Sequence, residues 1–182
     1  CNNITDVSVL ENVHTLYSSQ CRNIADVSEL GNVHTLDLSE THVTNVNSLE
    51  NIHTLNLSNT AVTDVSTLGK VHTLNLSKCY KIKDVSALIN VHTLNLSYCK
   101  IVDVSALGKV HTLNLSRTKV TDVSALGKVH ALNLDGTDVT DVSVLKDVYN
   151  LSLYGCYKVK NVDALGNVHT LNLSRTSVEN VS

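Results

Sequence analysis

The chain repeats one short unit along its whole length, and this repeat constrains the fold more than any other feature. The string Val-His-Thr-Leu-Asn-Leu-Ser recurs with small changes, and its histidine marks each unit. Consecutive markers are 19 or 20 residues apart: His14, His34, His53, His72, His92, His111, His130, Tyr149 and His169. A repeat this short is typical of solenoids, in which a unit is stable only when it stacks on its neighbours.

Each unit holds six apolar positions whose spacing describes one turn of a coil. In one unit these are Val110, Leu113, Leu115, Val120, Val123 and Leu126. The step from Leu113 to Leu115 has the period of two that is typical of a strand, whereas the steps of three fit turns or short 3₁₀ segments. We therefore predict one short strand per unit, stacked into a parallel sheet, with all six apolar side chains inside.

The unit resembles the leucine-rich repeat, whose core reads L-x-x-L-x-L-x-x-N/C-x-L. Here the pattern runs from Val110 through Thr118 to Val120. The Thr-Asp-Val-Ser-Ala-Leu that follows is similar to the return segment of bacterial internalin-type repeats, and Val-His-Thr-Leu is similar to short-repeat proteins of some large DNA viruses. The resemblance implies a right-handed solenoid over 1–182 of about nine repeats, with one parallel β-sheet. Turns or 3₁₀ segments on its convex side would leave little or no α-helix.

Composition and charge exclude several classes of protein. Phe, Trp, Met and Pro are absent, so the aromatic bulk that fills an ordinary two-layer enzyme core is missing. The net charge of −3 predicts no nucleic-acid binding, and the lack of a long apolar run predicts no membrane span. Ser, His and Asp recur along the units instead of meeting in one site, and no catalytic or phosphate-binding motif occurs. We therefore expect no enzyme and no cofactor.

All five cysteines occupy one position of the unit, where the other units place threonine. We interpret this row as a buried ladder in which Thr donates a hydrogen bond and Cys acts as a small apolar residue. No ligand spacing such as C-x-x-C occurs, so we predict no metal site. Cys79 and Cys99 lie on adjacent coils, as do Cys1 and Cys21, and either pair is within reach of a disulfide. Buried thiols, together with Asn-Leu-Ser sequons on the exposed face, favour a cytoplasmic protein, in the host cytoplasm if the source is viral.

Two further rows follow from the repeat. An Asp or Asn such as Asp122 opens each return segment, and we expect its side chain to accept backbone N–H groups of a short turn. A calcium-binding row is the alternative, but several units carry Asn and no second carboxylate recurs nearby. The histidines are expected to form a stacked column of neutral rings, with a metal site between coils as the alternative. Because protonated neighbours repel each other, we expect acid to destabilise the protein.

The outward positions of the unit differ in how much they vary. Thr112, Asn114 and Ser116 represent three rows that barely change, but the next position, represented by Arg117, changes in most units. Variable positions on a rigid scaffold are where binding usually resides. The candidate protein-binding residues are members of this row and two lysines behind it: Glu40, Asn59, Lys78, Tyr98, Arg117, Lys100 and Lys119. Random drift of an exposed surface would produce the same variation.

These observations predict a non-catalytic protein–protein recognition module that binds through its concave strand face. The lysines and the arginine among these candidates form a basic patch in the middle of the row. This patch lies between acidic positions such as Asp37 and Asp135, so an acidic protein partner would fit it. A structural or self-assembling solenoid is the alternative, and ice binding through the flat Thr, Asn and Ser rows is another. The chain starts at a ladder cysteine and stops inside a return segment, so we expect a fragment without proper caps whose ends could stack or swap.

Overall fold

The computed structural model describes residues 4–179, which form stacked coils with one three-residue strand each. The strands are Thr15–Tyr17 (β1), Thr35–Asp37 (β2), Thr54–Asn56 (β3), Thr73–Asn75 (β4), Thr93–Asn95 (β5), Thr112–Asn114 (β6), Ala131–Asn133 (β7), Asn150–Ser152 (β8) and Thr170–Asn172 (β9). They pair in parallel and in chain order from β1 to β9. Equivalent positions of neighbouring units face each other, as Leu94 and Leu113 do. The predicted single parallel sheet is confirmed.

Short 3₁₀ segments form the return side of the coils, and no α-helix occurs between residues 4 and 179. The segments are Ser8–Leu10, Ser28–Asn32, Asn47–Leu49, Leu68–Lys70, Ser86–Asn90, Ser105–Lys109, Ser143–Asp147 and Asp163–Asn167. The aspartate row caps this side as predicted, since Asp103 Oδ1 accepts the Ser105 N–H at 2.9 Å. That N–H favours the charged carboxylate and lowers the pKa of Asp103 from its usual value of 3.8.

The apolar positions of the unit form one continuous core column, as the spacing predicted. In the unit of β6, for example, Val110, Leu115 and Val120 are each 0% exposed. Burial decreases in the last described unit, where Leu171 and Leu173 are partly buried and pack against the column from one side. Each coil is therefore held mainly by the coils before and after it.

Thr and Cys form the predicted buried ladder beside this core. Thr60 Oγ1 donates a hydrogen bond to the Leu57 carbonyl of its own coil at 2.7 Å. Cys79 Sγ donates to the same carbonyl from the next coil at 3.1 Å. Cys79 and Cys99 are free, buried thiols, and burial, with a smaller contribution from the neighbouring Cys79, raises the pKa of Cys99 to about 12. Cys1 lies outside the described residues, and so does its predicted pairing.

Candidate functional site

The variable row lies in the turn that follows each strand, at the edge of the strand face. Its members with a side chain have φ between 57° and 61°: Gln20, Glu40, Asn59, Lys78, Tyr98, Arg117 and Arg175. Gly136 and Gly155 adopt the same left-handed conformation, with φ of 64° and 68°. From Gln20 to Gly155, the N–H of each turn residue continues the ladder of the sheet, as Lys78 N donates to Ser97 O at 2.8 Å. This hydrogen bond to the next coil holds the turn in a conformation that most residues avoid.

The asparagine row on the strands supports these turns. In β6 the Asn114 Oδ1 accepts the Ser116 N–H at 2.9 Å. The asparagines of β3, β4, β5, β7 and β9 make the equivalent contact. Asn114 is half-buried. The row that the sequence presents as an outward surface therefore also has a structural role, because its amide oxygen bends the chain into the left-handed turn. Its amide nitrogen remains available as a donor.

Side chains of the variable row contact the neighbouring coil. The Lys78 Nζ lies 5.9 Å from the centroid of the Tyr98 ring, which is a cation–π distance. The Arg117 side chain covers Gly136, since a Cβ on that glycine would be 2.9 Å from Arg117 Nε. We call the predicted residues Glu40, Asn59, Lys78, Tyr98, Arg117, Lys100 and Lys119 the turn patch. The two lysines of the patch outside the row are exposed, each two residues beyond its turn residue.

The cations of the turn patch have no carboxylate partner within the described range. The ion pairs found there join Lys70 to Glu50 at 3.3 Å and Lys158 to Asp138 at 3.2 Å. Asp135, one of the acidic positions beside the patch, accepts hydrogen bonds from the next coil instead. The patch therefore presents solvated positive charge on a fixed backbone, and Tyr98 lies between Lys78 and Arg117 along the variable row.

The histidine column is confirmed. Neighbouring rings stack with centroids between 4.4 and 4.9 Å apart, and Tyr149 takes the place of a histidine without interrupting the stack. The His111 Nδ1 lies 3.2 Å from Thr112 Oγ1, and similar contacts orient most of the other rings. Desolvation, followed by repulsion from neighbouring histidines, lowers the pKa of His34 and of His111 from 6.5.

A depression of about 330 Å³ lies on the strand face across β6 to β9, and we call it the trough. It is lined by Thr112, Leu113, Asn114, Ala131, Leu132, Asn133, Asn150, Leu151, Ser152, Thr170 and Asn172. The repeat pattern of the sequence did not predict this depression. Its signal was the first strand position, where every strand has Thr except β7 with Ala131 and β8 with Asn150. The small alanine side chain leaves space in the middle of the trough.

Among residues 4–179, no three side chains of His, Cys, Asp or Glu come together in an arrangement that could hold a metal ion. No helix within this part of the chain is both long enough and apolar enough to span a bilayer.

Solved structures that share the fold include internalins. An internalin (inlF) of Listeria monocytogenes is 23% identical with a TM-score of 0.81, and the match covers 98% of this chain and 60% of the internalin. An internalin C2 (inlC2) of the same species is 24% identical with a TM-score of 0.74, over 89% of this chain and 81% of that one. The chain thus spans less than two thirds of the length of the first of these proteins.

A plant receptor shows the same architecture. The LRR ectodomain of the membrane receptor kinase GASSHO1/SCHENGEN3 from Arabidopsis thaliana, in complex with CASPARIAN STRIP INTEGRITY FACTOR 2, is 20% identical with a TM-score of 0.60. That match covers 85% of this chain and 23% of the receptor chain. No protein-family model matches the sequence, and no curated protein matches it either. The chain has the leucine-rich-repeat fold, in the short-repeat form with 3₁₀ segments, and its residues 4–179 form a nine-stranded parallel sheet.

Proposed function

We propose that the chain is a non-catalytic protein–protein recognition module whose turn patch binds an acidic surface of its partner. The observation that carries this proposal is the backbone conformation of the variable row. Gly136 and Gly155 fit the left-handed turn without strain, yet seven units keep larger side chains there. A non-glycine residue in this conformation costs about 1–2 kcal/mol. Strain that is retained at variable, exposed positions supports a binding role over random drift.

The chemistry of the patch supports an acidic partner. Tyr98 and Arg117 are of the residue types that most often dominate binding energy at interfaces. The guanidinium of Arg117 can bind a carboxylate through two parallel hydrogen bonds, and it has no such partner within residues 4–179. The Lys78 ammonium adds charge beside the Tyr98 ring. Such a surface would accelerate association with a negatively charged partner and would weaken with salt.

The comparison with the plant receptor agrees with this proposal. That ectodomain was solved in complex with CASPARIAN STRIP INTEGRITY FACTOR 2, so a solenoid of this fold is compatible with ligand binding. The low identity limits the comparison to the scaffold. The proposal for this chain therefore rests on its own turn residues.

A pull-down from a lysate of the source organism or its host tests the proposal. We expect the double variant Tyr98→Ala/Arg117→Ala to lose partners that the wild-type chain retains. The control Lys70→Ala/Lys109→Ala removes two exposed lysines on the 3₁₀ side of the coils. A partner identified in this way should bind the patch variant at least about 30-fold more weakly, which corresponds to about 2 kcal/mol. A double variant that retains every partner would contradict the proposal.

A further inference from the structure

The trough lies on the strand face, beside the turn patch. Its lining residues carry no charge. Threonine, serine and asparagine side chains supply its hydroxyl and amide groups, and three buried leucines also line it. Its volume of about 330 Å³ lies at the lower end of the range of small binding clefts. Ala131 of β7 lines the trough at the position where the neighbouring strand β6 has Thr112.

The floor of the trough presents hydrogen-bond donors. Asn114, Asn133 and Asn172 each use Oδ1 to accept a backbone N–H, at 2.9, 2.8 and 3.0 Å. Because a backbone N–H needs an oxygen acceptor, these contacts fix the orientation of each amide group. The three NH₂ groups are left as free donors, so a ligand that fits the floor must bring acceptors.

One rim of the trough adds positive charge. The turn that follows β6 carries Arg117, which lies across Gly136, and the turn that follows β9 carries Arg175, whose Cζ lies 5.4 Å from the Tyr154 ring centroid. Two carboxylates lie between these turns: Asp135 Oδ1 accepts the Tyr154 N–H at 3.0 Å, and Asp138 pairs with Lys158 Nζ at 3.2 Å. Both carboxylates are therefore already engaged, whereas the two guanidinium groups have no carboxylate partner among residues 4–179.

The length of the trough limits the ligand. Four strands span three strand spacings, or roughly 14 Å at about 4.8 Å each. An extended peptide rises about 3.3 Å per residue, so about four to five residues fill this span. Carbonyl oxygens of such a segment can accept from the asparagine amides, and acidic side chains can reach the arginines at either end.

We propose that the trough binds an extended acidic peptide segment of about four to five residues. This inference rests on the proposed function and deepens it, because it states which part of an acidic partner the strand face contacts. The turn patch binds the folded surface of the partner, and the trough takes an extended segment. Arg117 belongs to both regions because it lies where they meet.

Fluorescence anisotropy with a labelled peptide of five glutamates tests the inference on the full chain at low ionic strength. We expect Ala131→Leu, which fills the trough without changing charge, to weaken binding at least about tenfold. The matched control is Thr54→Leu, which adds a leucine at the same strand position in β3, outside the trough, and should not change binding. The double variant Arg117→Gln/Arg175→Gln should also weaken it, and circular dichroism verifies that each variant is folded.

The other outcomes separate this inference from the proposed function. If the peptide binds but responds to Lys78→Gln/Tyr98→Ala and not to Ala131→Leu, the trough assignment is wrong and the turn patch remains. If a uronic-acid oligosaccharide binds in the trough and the glutamate peptide does not, the peptide assignment is wrong. If the peptide does not bind at all, the inference fails, and the pull-down with Tyr98→Ala/Arg117→Ala still decides the proposed function by itself.

Discussion

Glu40 of the variable row keeps a side chain in a left-handed backbone conformation that destabilises the folded chain. Its φ is 58°, and its N–H donates to Ser58 O at 2.9 Å, so the left-handed backbone is set by the sheet ladder. We expect Glu40→Gly to stabilise the chain by about 0.5–1 kcal/mol, because the relief of strain exceeds the entropy that glycine gains when unfolded. Glu40→Ala removes the same carboxylate and keeps the strain, so urea unfolding should show no such gain. Equal effects of the two variants would contradict this account.

Gly108 is required for a different reason, which is the close approach of neighbouring coils on the 3₁₀ side. A Cβ at this position would lie 2.3 Å from the Ala125 carbonyl oxygen of the next coil. We expect Gly108→Ala to destabilise the chain by about 1–3 kcal/mol, since backbone must move to relieve the overlap. Gly166 holds the equivalent position, and a Cβ there would meet no atom of residues 4–179 within 4 Å. Gly166→Ala is therefore the control, and thermal unfolding should show a change of less than about 0.5 kcal/mol.

The histidine column makes the stability of the stacked coils depend on pH. The pKa values of His34 and His111 lie below 6.5 in the folded chain, first because of desolvation and then because of the adjacent rings. The folded state therefore binds fewer protons than the unfolded state near this pH. The stability that the neutral column contributes is fully present above about pH 6.5 and is lost as the pH falls through the folded pKa values.

We expect the midpoint of urea unfolding to change little between about pH 7.5 and about pH 6.5, and to decrease from there to about pH 5. His111→Tyr is the informative variant, because Tyr149 already stacks in the column at 4.9 and 4.4 Å from its neighbours, and a phenol has no imidazole nitrogen to take up a proton. Its profile should be flatter than that of the wild-type chain. The aspartate caps lose their contribution in a separate window, as the pH falls below about 4, because hydrogen bonds from the capped serines lower the pKa of carboxyls such as Asp103. An unchanged midpoint between pH 7.5 and 5 would contradict the prediction.

For the whole molecule, the sequence was sufficient to predict the fold because every unit repeats the same contacts. The spacing of Leu113 and Leu115 places the strand, and the strand order follows from stacking without further information. The left-handed turn was harder to predict, because Lys78, Tyr98 and Arg117 are residue types that normally avoid it. Within that row, Gly136 was a signal for the conformation.

The trough could not be predicted from the sequence, for a related reason. Its shape depends on side-chain volume summed over four coils, and a single alanine at 131 is an unremarkable substitution within one unit. Neighbouring members of the variable row are one repeat apart, so their relative positions follow from the repeat length. Their position in the turn, at the edge of the strand face, became apparent from the backbone angles.

The stacking of the coils also predicts how local damage spreads. Leu94 in β5 is 1% exposed and packs between two coils, whereas the equivalent Leu171 in β9 is partly buried. Leu94→Ala should destabilise the 182-residue chain by about 3–5 kcal/mol, because it leaves a cavity that both neighbours line. Leu171→Ala should cost less than about half of that and should act mainly on the last described coil, since each coil contacts only its neighbours.

Hydrogen exchange combined with urea unfolding distinguishes local from propagated effects. With Leu94→Ala we expect faster amide exchange in β4, β5 and β6 and a broader unfolding transition, because the weakened central interface lets the two halves unfold separately. With Leu171→Ala we expect faster exchange in β9 and β8 and an almost unchanged main transition. Equal losses of stability, with exchange increased uniformly from β1 to β9 in both variants, would mean that the solenoid unfolds as a single cooperative block instead of coil by coil.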